Sequence, residues 1–204
     1  SVRSKNAPTG VAVIAVADDG ENSIIVASGA NMHLLPEHVE AAAPVFQNAD
    51  VLLLQLEVPI ETIHTAAQIA RKQGVRVILN PAPAQKLPET LQHLVDVITP
   101  NRVELAQLLG LHENEVSTLS EEQLAKRALG VGPSSAVITL GSQGALAAGS
   151  WGWVHVPAYP IRVVDTTAAG DAFNAGLAEA LGQGNMALDQ AARVGYLPDR
   201  LGEK

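Results

Sequence analysis

The 204-residue sequence contains no cysteine and no apolar run long enough to span a bilayer. The absence of cysteine excludes disulfide bonds, and nothing in the sequence indicates an oxidising compartment. The N-terminal residues lack the apolar core of a signal peptide. We therefore expect a soluble cytoplasmic protein that has no membrane partner.

Positive charge is also scarce, because 13 Lys and Arg residues stand against 21 Asp and Glu, a net charge of −8. The basic residues are scattered, which argues against a nucleic-acid-binding surface. Neither a Gly-x-x-x-x-Gly-Lys-Ser/Thr loop nor a Gly-x-Gly-x-x-Gly turn after a strand occurs. The six histidines show no metal-ligand spacing. Any anionic ligand must therefore be attracted by local helix ends and a metal ion.

The chain has 47% hydrophobic residues, enough for a sizeable core. Strand-like and helix-like segments alternate, which is typical of an α/β fold with an open, mostly parallel sheet flanked by helices. The predicted strands cover 51–56, 75–79, 95–99, 136–140 and 161–164, and a hairpin covers 145–148 and 153–156. The predicted helices cover 60–73, 104–109 and 121–129. Because residues 51–56 are nearly all apolar, we expect this strand to be buried on both faces.

The N-terminal segment follows a different pattern. Residues 11–16 and 23–27 are predicted to form two strands joined by the turn Asp18-Asp19-Gly20. A hairpin that precedes the parallel units is a candidate lid. We therefore divide the chain into a partial β lid with its connection over 1–30 and an α/β core over 31–204.

The most informative segment is Asp165-Thr166-Thr167-Ala168-Ala169-Gly170-Asp171-Ala172-Phe173. Apolar residues recur at helical spacing after this segment, which places the first turn of a helix at Ala168 to Gly170. The unpaired amides and small side chains of such a turn favour the binding of an anion. A carboxylate beside that anion is suited to accept a proton from an attacking hydroxyl, which is a role for Asp171. The alternative is an ordinary helix start with Thr167 as the N-cap.

Polar residues follow the ends of the predicted parallel strands. Glu57 and Asn80 end the first two of them, Asn101 follows the third, and the segment 139–141 closes the fourth. Ligands bind to open α/β sheets beyond the carboxyl ends of the strands, so these residues are expected to converge on one crevice. Each of them alone is also compatible with an ordinary polar loop.

The segment from Asp165 to Asp171 resembles the Asp-Thr-x-Gly-Ala-Gly-Asp signature of the ribokinase-like carbohydrate kinase family. The other polar segments resemble family motifs and occur in the family order. The resemblance implies a ribokinase-like fold and transfer of the γ-phosphate of ATP to the primary hydroxyl of a pentose, with the motifs at Glu57 and Asn80 favouring D-ribose. It also implies Mg²⁺ and an activating K⁺.

Site residues are implied by the same resemblance. Asp171 would be the catalytic base and contact the sugar, next to an anion hole formed by Ala168, Ala169 and Gly170. Further sugar contacts would come from Ala12 and Val26 of the lid and from Glu57. The nucleotide would be bound by Asn101, Gly170, Thr139, Leu140, Gly141, Ser142, Gln143 and Gly144. Asn101 and Glu104 would hold Mg²⁺ through water, and Asp165 and Thr167 would bind K⁺.

Local alternatives exist for two of these motifs. Without the other family matches, Glu104 is best interpreted as a first-turn helix acid near Asn101 as the cap. The segment 139–144 is also compatible with a simple turn between a strand and a hairpin.

The resemblance covers the chain to about Val194 and is incomplete at both ends. Family members begin with a strand and glycine-rich sugar-binding segments that are absent before Ser1, and residues 195–201 depart from the expected alanine-rich helix. The alternative functions are therefore a catalytically incompetent remnant that keeps a nucleotide half-site and a related kinase for another sugar. Lids in the family often pair between subunits, so a homodimer through the lid is possible.

Overall fold

A computed structural model describes residues 7–16, 22–160, 168–184 and 186–196. The strands are β1 (Val11–Val16), β2 (Asn22–Ala27), β3 (Val51–Leu54), β4 (Arg76–Leu79), β5 (Val97–Ile98), β6 (Ser135–Thr139), β7 (Ala145–Gly149) and β8 (Gly152–Val156). The helices are α1 (Pro36–Ala41), α2 (Ala43–Phe46), α3 (Ile60–Lys72), α4 (Glu89–Gln92), α5 (Arg102–Leu109), α6 (Glu113–Ser117), α7 (Glu121–Leu129), α8 (Ala169–Gly182) and α9 (Leu188–Gly195). Short 3₁₀ turns cover Gly29–His33 and Gly141–Gln143.

Six of the described strands form one sheet in the order β3-β4-β5-β6-β7-β8. The first four are parallel, and β7 and β8 continue the sheet as an antiparallel hairpin. Parallel strands need crossover connections, and the helices between them supply these and cover the sheet. The predicted α/β fold with a mostly parallel sheet is confirmed.

The core lies on both faces of this sheet, because alternate side chains of each strand point to opposite sides. On one face Val77, Leu79 and Ile138 pack in a cluster with α3, α5 and α7. On the other face Ile78 and Val137 pack with residues of α8 and α9. Helix α8, which carries the family-like signature, is therefore anchored by the sheet itself.

Two predicted strands differ from the observed ones by more than one residue. β3 ends at Leu54, two residues early, and the expectation that it is buried on both faces is wrong, since Leu53 is 39% exposed. The reason is its position at the edge of the sheet, where β4 is its one partner among the described strands. β5 is reduced to Val97–Ile98, although backbone hydrogen bonds from Asp96 and Thr99 extend its pairing with β4.

The N-terminal strands form a separate two-stranded antiparallel sheet, as predicted, with Ala12 opposite Val26. Val11, Val13 and Ile25 are exposed on this hairpin. Gly29 adopts φ 49°, and a Cβ there would lie 2.5 Å from the Pro8 carbonyl oxygen, so the chain passes too closely for a side chain. The predicted turn 18–20 and the predicted strand 161–164 lie outside the described residues.

Within the described ranges, no helix has both the length and the apolar character that crossing a bilayer requires.

Candidate active site

A cavity of about 230 Å³ lies at the carboxyl ends of β3 and β4, beside the start of α8. It is lined by Leu53, Gln55, Asn80, Asp171 and Asn174. The side-chain amide of Gln55 donates to Asp171 Oδ1 over 3.0 Å, which links the end of β3 to the first turn of α8. The structure thus brings Asp171 and Asn80 together at the edge of the sheet where the sequence predicts a site.

The start of α8 is open to an approaching ligand. Its N-cap is Ala168 rather than the alternative Thr167, and Ala168 has φ 58°, a left-handed conformation that is unusual for alanine. The first described bond within the helix runs from the Ala172 amide to the Ala168 carbonyl over 2.9 Å. A Cβ added at Gly170 would meet no atom within 4 Å. The first-turn amides and this open space suit an anion.

A buried hydrogen-bond chain lies beneath the cavity. The Asn80 side chain donates to the Thr99 carbonyl oxygen over 3.1 Å. The Thr99 hydroxyl donates to Asn174 Oδ1 over 2.6 Å, and Asn174 Nδ2 donates to the Gly170 carbonyl oxygen over 2.9 Å. Thr99 and Asn174 are only 2% and 4% exposed. The chain joins β5 to the first turn of α8.

Asn101 and Glu104 form a reciprocal cap at the start of α5. Each side chain accepts a hydrogen bond of 2.8 Å from the backbone amide of the other. The alternative reading of this pair as a helix cap is therefore confirmed, and it leaves Glu104 Oε1 outside the cap. Burial raises the pKa of the Glu104 carboxyl, and the hydrogen bond from Asn101 opposes that increase. A nearby cation would favour the charged form of this half-buried carboxylate.

Asn101 also bridges to Thr139, which places α5 next to the segment 139–144. That segment closes on itself through a 2.7 Å hydrogen bond from the Leu140 amide to the Gly144 carbonyl oxygen. Gly144 has φ 100°, and a Cβ there would lie 2.1 Å from the Val156 carbonyl oxygen. Only glycine fits this position, because β8 passes directly against the turn.

Two aromatic side chains hold this turn in place. His155 Nε2 lies 2.7 Å from the Gln143 carbonyl oxygen, and His155 Nδ1 lies 2.5 Å from Glu121 Oε1. These two acceptors raise the pKa of His155. Tyr196 donates its hydroxyl proton to the Gly144 carbonyl oxygen, and burial raises the pKa of Tyr196 to about 12. The Tyr196 ring also packs on Phe173 of α8, 4.9 Å between ring centroids.

Several predicted site residues do not line the cavity. Ala12 and Val26 face each other on the hairpin, and Glu57 is exposed beyond the end of β3. Asp165 and Thr167 lie outside the described residues. Across the part of the chain that the structure describes, no three histidine, aspartate or glutamate side chains cluster as a metal site.

Sequence reasoning missed Gln55, Thr99 and Asn174 as parts of the site. Asn174 lies three residues after Asp171, a spacing that places two side chains on the same face of a helix. A polar residue between the core residues Phe173 and Leu177 was the available signal for it. Thr99 and Asn174 are 75 residues apart in sequence, so no local pattern pairs them.

A family model described as "pfkB family carbohydrate kinase" matches residues 1–197. Ribokinase from Haemophilus influenzae is 41% identical over 191 residues, which are 92% of this chain and 60% of that enzyme. Deoxyribokinase from Salmonella typhi is 39% identical over 167 residues, 81% of this chain and 54% of that enzyme. The chain thus spans little more than half the length of these curated relatives.

A solved structure has the same fold. Arabidopsis thaliana ribokinase complexed with ribose and ATP superposes with a TM-score of 0.81 at 32% identity. The superposition covers 93% of this chain and 62% of the Arabidopsis chain.

Proposed function

Because the chain belongs to the pfkB family of carbohydrate kinases, we propose that it transfers the γ-phosphate of ATP to the primary hydroxyl of a pentose, D-ribose, giving ribose 5-phosphate. The observation that carries this proposal is the position of Asp171, which lines the cavity at the open first turn of α8. A proton acceptor and a set of anion-binding amides are the two groups that such a transfer needs.

In the proposed reaction, Asp171 accepts the proton of the primary hydroxyl. The sugar oxygen then forms a bond to the γ-phosphorus, and the bond from that phosphorus to the oxygen that bridges to the β-phosphate breaks, so that ADP leaves. The amides at Ala168, Ala169, Gly170 and Asp171 stabilise the negative charge of the transferred group. Before the sugar enters, the 3.0 Å hydrogen bond from Gln55 Nε2 to Asp171 Oδ1 holds the carboxylate in the cavity.

The sugar is proposed to occupy the cavity lined by Gln55 and Asn80, with Glu57 accepting hydrogen bonds from two of its hydroxyls. Ala12 and Val26 would contact it from the hairpin. Support for ribose comes from the similarity to ribokinases and to the Arabidopsis enzyme complexed with ribose and ATP. The similarity to a deoxyribokinase makes 2-deoxyribose the competing substrate to test.

The nucleotide is proposed to bind along the segment 139–144, next to Asn101 and Gly170. Gly141 leaves open space, since a Cβ there would meet no atom within 4 Å, so a phosphate or ribose can approach the backbone. Thr139, Leu140, Ser142, Gln143 and Gly144 complete the segment. The anchors at His155 and Tyr196 keep its shape fixed in the absence of nucleotide.

The residues present fit a water-mediated Mg²⁺ site at Asn101 and Glu104, because Mg²⁺ keeps most of its water and needs few carboxylates. Bound there, Mg²⁺ would neutralise charge on the nucleotide phosphates. Asp165 and Thr167 remain the proposed K⁺ ligands. Omission of each cation from an assay tests both proposals.

The exposed apolar faces of the hairpin are the basis for a proposed homodimer through β1 and β2. Ile25 is 70% exposed, and a lysine there would place a charge in the interface. We expect Ile25→Lys to shift the chain from dimer to monomer in sedimentation velocity. A wild-type chain that is monomeric at assay concentration would contradict the dimer.

The experiment that tests the function is a coupled ADP-release assay on the purified chain with ATP, Mg²⁺ and K⁺. We expect ADP release to depend on ribose and to exceed the release measured without sugar. Parallel reactions with 2-deoxyribose decide the sugar by the ratio of the two kcat/KM values. Absence of any sugar-dependent ADP release would overturn the kinase proposal and favour the incompetent remnant.

A further inference from the structure

Three of the four buried polar side chains in the described residues are hydrogen-bonded at the wall of the cavity: Thr99 and Asn174 form a chain that leads to Gly170, and Asn80 holds the Thr99 main chain. A buried polar group is costly unless it is bonded. A fully satisfied buried network therefore fixes the arrangement of its members. Here the fixed arrangement ends at the Gly170 carbonyl oxygen, in the first turn of the helix that carries Asp171.

The direction of this chain follows from its last acceptor. The Gly170 carbonyl can only accept, so the nitrogen of the Asn174 amide must face it. Asn174 Oδ1 then faces Thr99, and the Thr99 hydroxyl must donate to it over 2.6 Å. The other acceptor near this hydroxyl, the Leu79 carbonyl oxygen, is 3.5 Å away. The bond from Thr99 to Asn174 and the bond from Asn174 to Gly170 therefore both donate towards Gly170, and the first polarises the second.

The Gly170 carbonyl belongs to the same planar peptide group as the Asp171 amide. The Asn174 side chain is a second donor to that carbonyl, besides the helix bond from its backbone amide, and it further restrains the peptide plane and increases the partial positive charge of its N–H. In a helix the carbonyls point towards the C-terminus, so this N–H points out of the start of α8, where the anion is expected. The hydrogen-bond chain thus ends on a group that faces the transferred phosphate.

We propose that Asn174 is a positioning residue, which orients and polarises the Asp171 amide for the transferred phosphoryl group while Thr99 fixes the orientation of Asn174. The proposal rests on the proposed kinase function and adds to it. The charge that this amide stabilises grows during the transfer, so its loss affects kcat more than KM. Removing a whole anion-hole donor costs about 10²- to 10³-fold in kcat, so misaligning one is expected to cost about tenfold.

The test combines a spectroscopic and a kinetic measurement. The chain is labelled with ¹⁵N, and the Asp171 amide signal is followed without ligand in wild type, Asn174→Ala, Thr99→Val and Thr99→Ser. We expect the signal to move in Asn174→Ala and Thr99→Val and to return towards wild type in Thr99→Ser. In steady-state assays with ribose, the first two variants should lose about tenfold in kcat, with both KM values within about twofold of wild type.

Thr62 offers a matched control for Thr99. It is 1% exposed, and its hydroxyl donates to the Leu34 carbonyl oxygen over 2.6 Å, on α3 and outside the cavity. Thr62→Val removes a buried hydroxyl with a bond of the same length as that of Thr99. It should lose comparable stability in urea unfolding but keep the Asp171 signal and the wild-type kcat.

The outcomes separate this inference from the kinase proposal. An Asp171 signal that stays in place in Thr99→Val, a substitution that conserves shape, overturns the positioning role whatever the activity is. A signal that moves while kcat stays at the wild-type value overturns it as well. The Asp171 signal can also move as expected in the variants while the wild-type chain shows no sugar-dependent turnover. This result supports the hydrogen-bond chain and overturns the kinase function.

Discussion

The α/β body and the β1–β2 hairpin contain the same apolar residue types but bury them very differently. In the body, Ile78 and Ile138 are fully buried. In the hairpin, Ile25 is 70% exposed and Val13 is 59% exposed. A two-stranded sheet cannot cover its own faces, whereas the six-stranded sheet is covered by helices on both. Burial here depends on the layers around a strand more than on the residues within it.

The comparison separates two contributions to the proposed function. The cavity residues Gln55, Asn80 and Asp171 all lie on the body, and α8, which carries Asp171, is packed on the sheet by its buried face. The hairpin offers apolar surface that can contact a ligand or a second subunit, and it contributes little burial of its own. Stability and chemistry should therefore respond to changes in the body, and association to changes in the hairpin.

The largest expected effect comes from the proposed base. Asp171→Asn keeps the size of the side chain but removes the proton acceptor. We expect turnover with ribose to fall by about 10³-fold, while nucleotide binding measured by calorimetry is retained. Near wild-type turnover in this variant would refute the base.

Asp189 provides a control for this substitution, because it is also an acid in the first turn of a helix, α9. Both substitutions remove a favourable interaction with a helix dipole. Asp189→Asn should therefore leave turnover unchanged. A similar loss in both variants would show that the effect of Asp171 is structural.

A second test compares the two regions by the same substitution. Ile78→Ala leaves a cavity in the core beside the sheet, and Ile25→Ala shortens a side chain that is exposed on the hairpin. We expect the first to lower the free energy of unfolding by about 3 kcal/mol and the second by less than about 0.5 kcal/mol. Urea unfolding at neutral pH measures both. Equal losses would mean that the hairpin packs against another surface in solution, such as a second subunit.

Sequence patterns were sufficient for the elements that depend on local order. Helix 121–129 and the hairpin that follows 136–140 were predicted nearly to the residue, because capping, apolar runs and turns are local features. The polar residue Asn80 was placed at the cavity because carboxyl ends of parallel strands share one edge. The short helices α1, α2, α4, α6 and α9 were not predicted, since few of them span enough turns to show periodicity.

The rest of the site depends on contacts between distant segments. The end of β3 is an example, since the sequence indicates Glu57 as a sugar ligand but gives no sign that Gln55 lines the cavity. The point at which the edge strand β3 leaves the sheet decides which of its side chains faces the cavity. The bond between His155 and Glu121 likewise joins residues 34 positions apart, and its formation requires β8 to lie against the start of α7.

A third test distinguishes stability from chemistry within the body. Gly170→Ala adds a methyl group where no atom lies within 4 Å. Alanine favours a helix over glycine, so the free energy of unfolding should stay the same or rise by about 0.5 kcal/mol. The methyl group occupies the space through which the phosphoryl group would approach, so we expect kcat to fall about tenfold. Both quantities can be measured on one preparation.

Gly182, at the other end of α8, is the control for this substitution. A Cβ there would make ordinary contacts of 3.6 Å with Asp50 and Val51. Gly182→Ala should therefore keep the wild-type kcat. Unchanged kcat in Gly170→Ala would mean that no anion occupies the space at the start of α8.

The smallest expected effect concerns His155, which is partly exposed and joins the segment 139–144 to α7. Its pKa is raised by the acceptors Gln143 and Glu121, so the folded state binds its proton more tightly than the unfolded state does. Its contribution to stability should be fully present below pH 6.5, the ordinary pKa of histidine, and disappear as the pH rises through the higher pKa of the folded state. We expect His155→Ala to lower the free energy of unfolding by about 0.5 kcal/mol at pH 5.5 and by less at pH 9. Urea unfolding at the two pH values measures both differences.

His93→Ala, at an exposed histidine whose Nε2 lies 3.8 Å from Glu89 Oε1, is the control. A His155→Ala penalty that grows with pH would contradict this assignment and leave Tyr196 as the anchor that fixes the nucleotide segment in the body.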